Sequence, residues 1–420
     1  MAFWRRLWNR DAAPALAACT ALDIGTEFAK ALVFEIDDQG QGTVRGVGRR
    51  RQGLAHMQSG TVADIAAVVD NCSVALQEAE EMAGFRPSQV VLGIAGELVK
   101  GFTTTHSQER RRPDQPITEA ELQRLIDGVQ QEALREAERA ITWETGLPHV
   151  DVRLVHAAIT AASIDGYPVS NPIGFRGRHV KIAIFEAFAP LVHLGALESV
   201  ASQLDLELLE IVAEPYAVSR ALGSDQVLQA GAIFVDIGGG TTDVALVRSG
   251  GIEGTRMFAL GGRAFTKSIA DRLDLPFPRA EAAKVDYARG LVVDRRDELA
   301  AIVADDVAVW AAGVELVVEE LAAGDLLPGR IYLCGGGSRL PEIQAALVAQ
   351  RFWRHLPFAR PPDVTIMSPG QVSSIVDATG LLVDQQDVTP LGLARQAIEL
   401  QADEDPLDAV LRRVLRAMKV

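Results

Sequence analysis

The sequence is short of cysteine, of basic residues and of long apolar runs, and each shortage narrows what it can be. Cys19, Cys72 and Cys334 are its only cysteines. They are scattered without metal-ligand spacing, a usage that suits a reducing cytosol. Lys and Arg total 41 against 56 Asp and Glu, a net charge of −15, which argues against nucleic acid as a main partner. No apolar stretch approaches the roughly 18 uncharged residues of a spanning helix. Leu16-Ala17-Ala18-Cys19 looks like a lipoprotein cleavage box, but the apolar stretch before it is short, holds Pro14 and follows Asp11. Cleavage there would leave Asp23 only four residues from the new terminus, so no signal peptide is expected. With 420 residues and 48% hydrophobic content, the chain is globular and long enough for more than one domain.

What the sequence does have is glycine at ordered places. Asp236-Ile237-Gly238-Gly239-Gly240-Thr241-Thr242-Asp243 lies between the apolar runs Ala232–Val235 and Val244–Val247. This reads as a turn joining two strands, with a carboxylate at each end. Glycines allow close backbone approach to a ligand, successive N–H groups form an anion nest, and Thr241 and Thr242 add hydroxyl donors. A carboxylate beside a phosphate cradle makes sense with Mg²⁺ between them. The same logic recurs at Leu22-Asp23-Ile24-Gly25-Thr26, followed by the run Ala29–Ile36, with Lys30 within reach of a phosphate. Two such turns, one in each half, suggest a duplicated domain with nucleotide between the lobes. A third element, Ile331-Tyr332-Leu333-Cys334, enters Gly335-Gly336-Gly337-Ser338. There the lack of side chains would let an adenine ring lie against the backbone.

In this order the three elements resemble the actin-like ATPase superfamily, which includes actin, DnaK-type chaperones, MreB and FtsA. The resemblance covers roughly residues 20 to 400 and implies an α/β, actin-like two-lobed ATPase fold. It implies a first phosphate motif at Asp23, Gly25 and Thr26, and a second at Asp236, Gly238, Gly239, Gly240, Thr241, Thr242 and Asp243. The adenosine motif would be Gly335, Gly336 and Gly337, with Glu281 and Lys284 as a Glu-x-x-Lys that contacts the nucleoside. ATP and Mg²⁺ are the implied cofactors, the metal held through water by Asp23 and Asp236. Glu214-Pro215-Tyr216-Ala217 is similar to the segment in DnaK and MreB relatives whose Glu orients the attacking water. Glu214 is therefore the candidate catalytic residue of what is at most a slow ATPase. It could equally complement the N-terminus of a helix.

The segments between these motifs read as follows. Residues 61 to 83 have helical periodicity, with Ile65, Val68, Val69, Cys72 and Leu76 on one face. Thr118 with Glu121 forms a capping box for a long helix carrying Leu122, Leu125, Ile126, Val129 and Ala133. Asn171-Pro172-Ile173-Gly174 precedes a strand at Val180–Phe185, an order that resembles the FtsA branch, whose inserted subdomain ends in such a segment. The expected organisation is a basic and aromatic tail (1–19), first lobe (20–86), FtsA-type insert (87–177), first lobe again (178–227) and second-lobe core (228–262). A small helical subdomain (263–329), the return of the core to the first lobe (330–400) and a linker with terminal helix (401–420) complete it. In the small subdomain Ile302, Val303, Val307, Trp310, Val314, Val317 and Val318 form a packing stripe. The stretch from Gly290 to Asp297 is shorter than the hairpin of many FtsA sequences, in the subdomain that FtsA uses to hold the FtsZ tail.

Beyond the acidic linker, Leu407, Val410, Leu411, Val414, Leu415 and Met418 repeat at helical spacing opposite Arg412, Arg413, Arg416 and Lys419. A basic amphipathic helix of this kind suits an anionic membrane surface; docking on its own domain is the other reading. Phe3, Trp4, Leu7 and Trp8 among Arg5, Arg6 and Arg10 form a rival anchor. The resemblance implies a cell-division protein on the inner face of the cytoplasmic membrane. It would tether FtsZ, recruit other division proteins and self-associate into filaments. The alternative is a type IV pilus assembly protein resembling PilM, which shares the insert. A chaperone would need a β-rich substrate domain, and a sugar kinase a substrate-base Asp between the lobes.

Overall fold

A computed structural model of the chain describes residues 17–147, 150–222, 225–248, 250–401 and 411. The tail Met1–Arg10 and the helix positions Leu407, Val410, Val414, Leu415 and Met418 lie outside the described residues.

Two sheets carry the two lobes. In the first, six strands run in the order Glu207–Ala213, Gln89–Ile94, Ala17–Ile24, Phe28–Ile36, Gly42–Arg51 and Ile375–Asp377. The first three of the chain form an antiparallel meander, and Gln89–Ile94 joins it in parallel. Helix Ile65–Ala83 covers one face, with Val68, Cys72, Ala75, Leu76 and Ala79 buried. Asp64 caps its start by accepting from the Ala67 amide at 3.1 Å, and Gly84 ends it in the left-handed conformation. Helices Glu214–Ala221 and Val388–Gln401 pack together and help cover the other face. This apolar-in pattern on both faces explains why these strands read as continuous hydrophobic runs.

The second sheet has nine strands. Asp363–Ile366, Arg330–Cys334, Ala232–Ile237, Thr242–Arg248 and Gly251–Phe258 form the second lobe. Lys100–Glu109, His179–Pro190, Val152–Ile164 and Tyr167–Pro168 form the insert. The two halves join where Gly254 and Thr255 pair with Phe102 and Gly101. The insert therefore continues the second-lobe sheet, although first-lobe elements flank it in sequence. Strand Gln89–Ile94 lies in the first-lobe sheet, and His179–Pro190 pairs with both other long insert strands. Of the expected insert 87–177, strand Gln89–Ile94 thus lies in the first-lobe sheet, while His179–Pro190, beyond it, lies in the nine-stranded sheet.

Helix Glu119–Thr145 covers the insert with Leu122, Leu125, Ile126, Val129, Ala133, Ala137 and Ile141. Thr118 accepts from the Glu121 amide at 3.3 Å. The Glu121 carboxylate does not complete the capping box by reaching back. It takes a bidentate pair from Arg110, at 2.7 and 3.0 Å, a stronger partner than a backbone N–H. Helix Arg296–Ala322 packs under the second lobe, and its buried Trp310 donates Nε1–H to the Thr242 hydroxyl at 3.0 Å. No described helix is long and apolar enough to cross a membrane.

Candidate functional site

The two Asp-x-Gly turns fold as expected and meet between the lobes. In the first, the Gly25 amide bonds the Phe28 carbonyl at 3.0 Å; in the second, the Gly238 amide bonds the Thr241 carbonyl at 2.9 Å. The turn tips abut so closely that side chains on the second would collide with the first. A Cβ on Gly240 would lie 2.8 Å from Thr26 Oγ1, and one on Gly239 would lie 2.9 Å from the Glu27 Cβ. The glycines there are required by contact between the lobes.

Between these turns lies a cavity of about 490 Å³, within the range of small-molecule sites. Asp23, Gly25, Thr26, Lys30, Glu214, Asp236, Gly238, Gly239, Thr241, Asp243, Glu281, Lys284 and Gly335–Gly337 line it. The sequence reading thus converges on one space. Thr242 is the correction: strand alternation turns its side chain away from the cavity, and it is fully buried. Its hydroxyl donates to the Leu260 carbonyl at 2.7 Å and accepts from Trp310. Gly240 contributes to the contact between the turns and does not line the cavity.

Four carboxylates face one ammonium. Lys30 pairs with Asp23, its neighbour across the hairpin, at 2.9 Å, and donates to the Gln386 carbonyl at 2.8 Å. Burial works against the Lys30 charge, but Asp23, Asp387 and Asp236 outweigh it and hold the ammonium above its ordinary pKa. Burial, with Asp236 adding to it, pushes Asp243 up to about 8. Asp236 is also raised by burial, although the Thr389 hydroxyl donates to it at 2.6 Å and Lys30 lies near. Glu214 stands at the start of helix Glu214–Ala221, where burial and then Asp23, Asp243 and Asp236 raise it well above the carboxylate range. It fits only because residue 93 is glycine, where a Cβ would fall 2.6 Å from Glu214 Oε1. The chemistry of this set calls for a bound cation or proton to offset the excess negative charge.

The remaining candidates are placed by second-lobe elements. Gly335 adopts φ +78° and ψ 161°, a region essentially restricted to glycine. A Cβ there would sit 2.1 Å from Asp236 Oδ1 and 2.5 Å from the Ile237 carbonyl oxygen. Gly336 is different: the nearest atom to a Cβ would be Gln386 Oε1 at 3.9 Å, so its face is open. Lys284 donates to the Gly262 carbonyl, the Thr266 hydroxyl and Glu281 at 2.7, 2.7 and 2.8 Å. Those three bonds use all three donors of an ammonium, so in this state Lys284 fixes helix Phe277–Ala288 to helix Gly262–Leu273.

Several lining residues escaped the sequence reading. Arg263 pairs with Glu27 at 2.7 Å and Arg51 with Glu27 at 2.6 Å, a clasp between the lobes at the mouth of the cavity. The Gly262 and Arg263 amides bond the Gly238 and Gly239 carbonyls at 2.8 and 2.7 Å. They bring the N-terminus of helix Gly262–Leu273 beside the second turn, which favours an anion there. Gly261-Gly262 before a helical segment was the available signal. Arg339 pairs with Asp384, and the Gly335 amide bonds the Gln385 carbonyl at 3.2 Å. His193, which burial lowers to about 4, lines the far end. Among the described residues no group of three His, Cys, Asp or Glu side chains is arranged to hold a metal ion.

Two lobes with abutting Asp-x-Gly turns over an interlobe cavity define an actin-like ATPase fold, here with an inserted subdomain. The comparisons agree. PilM of a PilM–PilN type IV pilus biogenesis complex superposes with a TM-score of 0.63 at 19% identity, over 92% of this chain and 99% of that one. The ethanolamine utilization protein EutJ of Carboxydothermus hydrogenoformans gives 0.51 at 19% identity, over 93% of each. In sequence the similarity is to the cell division protein FtsA, whose family model matches residues 233–377. FtsA of Pseudomonas aeruginosa is 27% identical over 91% of this chain and 89% of its own length. FtsA of Streptococcus pneumoniae is 23% identical over 87% and 80%.

Proposed function

We propose that the cavity binds Mg²⁺-ATP and that the protein is an FtsA-like division scaffold which holds FtsZ at the cytoplasmic face of the membrane. The observation that carries the nucleotide reading is the pair of abutting turns, with Asp23, Asp236, Asp243 and Glu214 converging on one space beside Lys30. The fit is favourable. The cavity has an anion-favouring helix N-terminus at one wall, an open glycine face at Gly336, and carboxylates with too little positive charge among them.

In this reading Asp23 and Asp236 would hold the metal through water, and the turn residues Gly25, Thr26, Gly238, Gly239 and Thr241 would surround the phosphates. Glu281, Lys284 and Gly335–Gly337 form the nucleoside end. Bound Mg²⁺ would supply positive charge to the phosphates and to the carboxylate cluster. Glu214 then orients and deprotonates a water once it has lost its own proton. Burial and the neighbouring carboxylates raise Glu214, which favours its protonated form in the absence of a bound cation. Glu27, tied to Arg263 and Arg51, holds the lobes together at the mouth. Nucleotide between the lobes would favour end-to-end association.

Similarity to FtsA over most of the chain supports the division role and FtsZ as partner. The PilM fold match keeps a pilus-assembly role as the second reading. The test is flotation of FtsZ with anionic vesicles in the presence of this protein and Mg²⁺-ATP. FtsZ should float only when the protein is present. FtsZ left at the bottom while the protein itself floats would remove FtsZ as its partner and turn the reading towards pilus assembly.

A further inference from the structure

Leu411 is the one described residue of the C-terminal stripe, and it is not free. It is only 2% exposed and belongs to the buried cluster of the insert. Leu122, Ile126 and Val129 of helix Glu119–Thr145 and Ile184 and Phe188 of strand His179–Pro190 share that cluster. Helix Val388–Gln401, ten residues earlier, packs on the first lobe. Ten residues separate Gln401 from Leu411, a stretch that reaches at most about 33 to 36 Å.

We infer that the inserted subdomain is a docking surface for the chain's own C-terminal segment, seated through Leu411, and that an anionic membrane competes for that segment. The second clause rests on the membrane reading above; the first does not. Leu411 lies in the middle of the apolar stripe Leu407 to Met418. One side chain cannot be in the insert's core and in lipid at once. Docking therefore withholds the segment from the membrane, and membrane capture uncovers the insert.

Hydrogen exchange of the full-length protein, read by mass spectrometry, tests both clauses. Leu411→Asp should speed exchange in helix Glu119–Thr145 at least tenfold, leaving helix Val388–Gln401 unchanged; Leu411→Met should behave as wild type. Vesicles of phosphatidylglycerol and phosphatidylethanolamine added to wild type should reproduce the Leu411→Asp pattern in that helix. If Leu411→Asp fails to fold, Leu411→Ala is read in its place, with the same direction and a smaller effect. Unchanged exchange in helix Glu119–Thr145 on substitution overturns docking. Vesicle binding without faster exchange there overturns the competition. Absence of vesicle binding by wild type overturns the competition and the membrane reading together, while docking is still decided by the Leu411 variants.

Discussion

Gly335 and Gly336 are adjacent, yet the structure gives them opposite sensitivities. Gly335→Ala would force a Cβ to 2.1 Å from Asp236 Oδ1 and 2.5 Å from the Ile237 carbonyl oxygen, at φ +78°. The backbone conformation alone costs an L-residue about 1 to 3 kcal/mol. Relief of the clash must move Asp236, which the Thr389 hydroxyl otherwise holds at 2.6 Å. The expected result is a loss of at least about 2 kcal/mol of stability together with weaker Mg²⁺-ATP binding. Gly336→Ala meets no protein atom closer than 3.9 Å, so stability should stay within about 0.5 kcal/mol. If the adenine ring lies on that face, the added methyl group should still weaken ATP at least tenfold, about 1.4 kcal/mol. Denaturant unfolding and fluorescent-nucleotide titration of both variants read the two effects separately. Wild-type stability in Gly335→Ala would refute the crowding argument. Unchanged affinity in Gly336→Ala would refute the nucleoside placement.

Glu214→Gln should leave nucleotide affinity within a fewfold and cut hydrolysis on the order of 10² or more; normal turnover in a coupled phosphate-release assay would make Glu214 structural. Glu186→Gln tests a buried carboxyl in the insert, which burial raises from 4.5 to about 8. Between those values the folded chain keeps a proton that the unfolded chain has lost, so this site's contribution is whole below about pH 4.5 and fades as pH rises to about 8. The variant should therefore match wild type near pH 5 and be more stable near pH 8, by on the order of a few kcal/mol. Equal melting differences at the two pH values would show that Glu186 ionises freely.

Local patterns carried much of this molecule. The hairpins around Asp23 and Asp236 need only glycine, apolar runs and the period of two, all visible in the chain. The cap at Thr118 was visible as well, a Thr standing just before an apolar helical repeat. Contacts that depend on tertiary placement were not legible. The hydroxyl of Thr389 reaches Asp236 across 153 residues of chain, and Glu27 meets Arg263 across 236. Thr242 beside Thr241 looked like a second donor, yet strand alternation gives it to Trp310. Arg110 drew Glu121 away from the cap, a choice that propensity cannot foresee. Joining of the insert to the second-lobe sheet depends on two residue pairs, Gly254 with Phe102 and Thr255 with Gly101, which no periodicity marks. The amphipathic stripe of the C-terminal segment was plain in the sequence, but whether its apolar side meets lipid or protein is not a property of periodicity.

Calorimetric titration of wild type and Asp236→Ala with Mg²⁺-ATP tests the central claim most directly. Asp236 lines the cavity, bonds Thr389 and stands opposite Asp23 and Lys30. Wild type should bind one ATP per chain, and Asp236→Ala should bind more than tenfold more weakly, about 1.4 kcal/mol or more, while keeping its fold by circular dichroism. A folded Asp236→Ala that binds Mg²⁺-ATP as wild type does would contradict the assignment of this turn as the phosphate site.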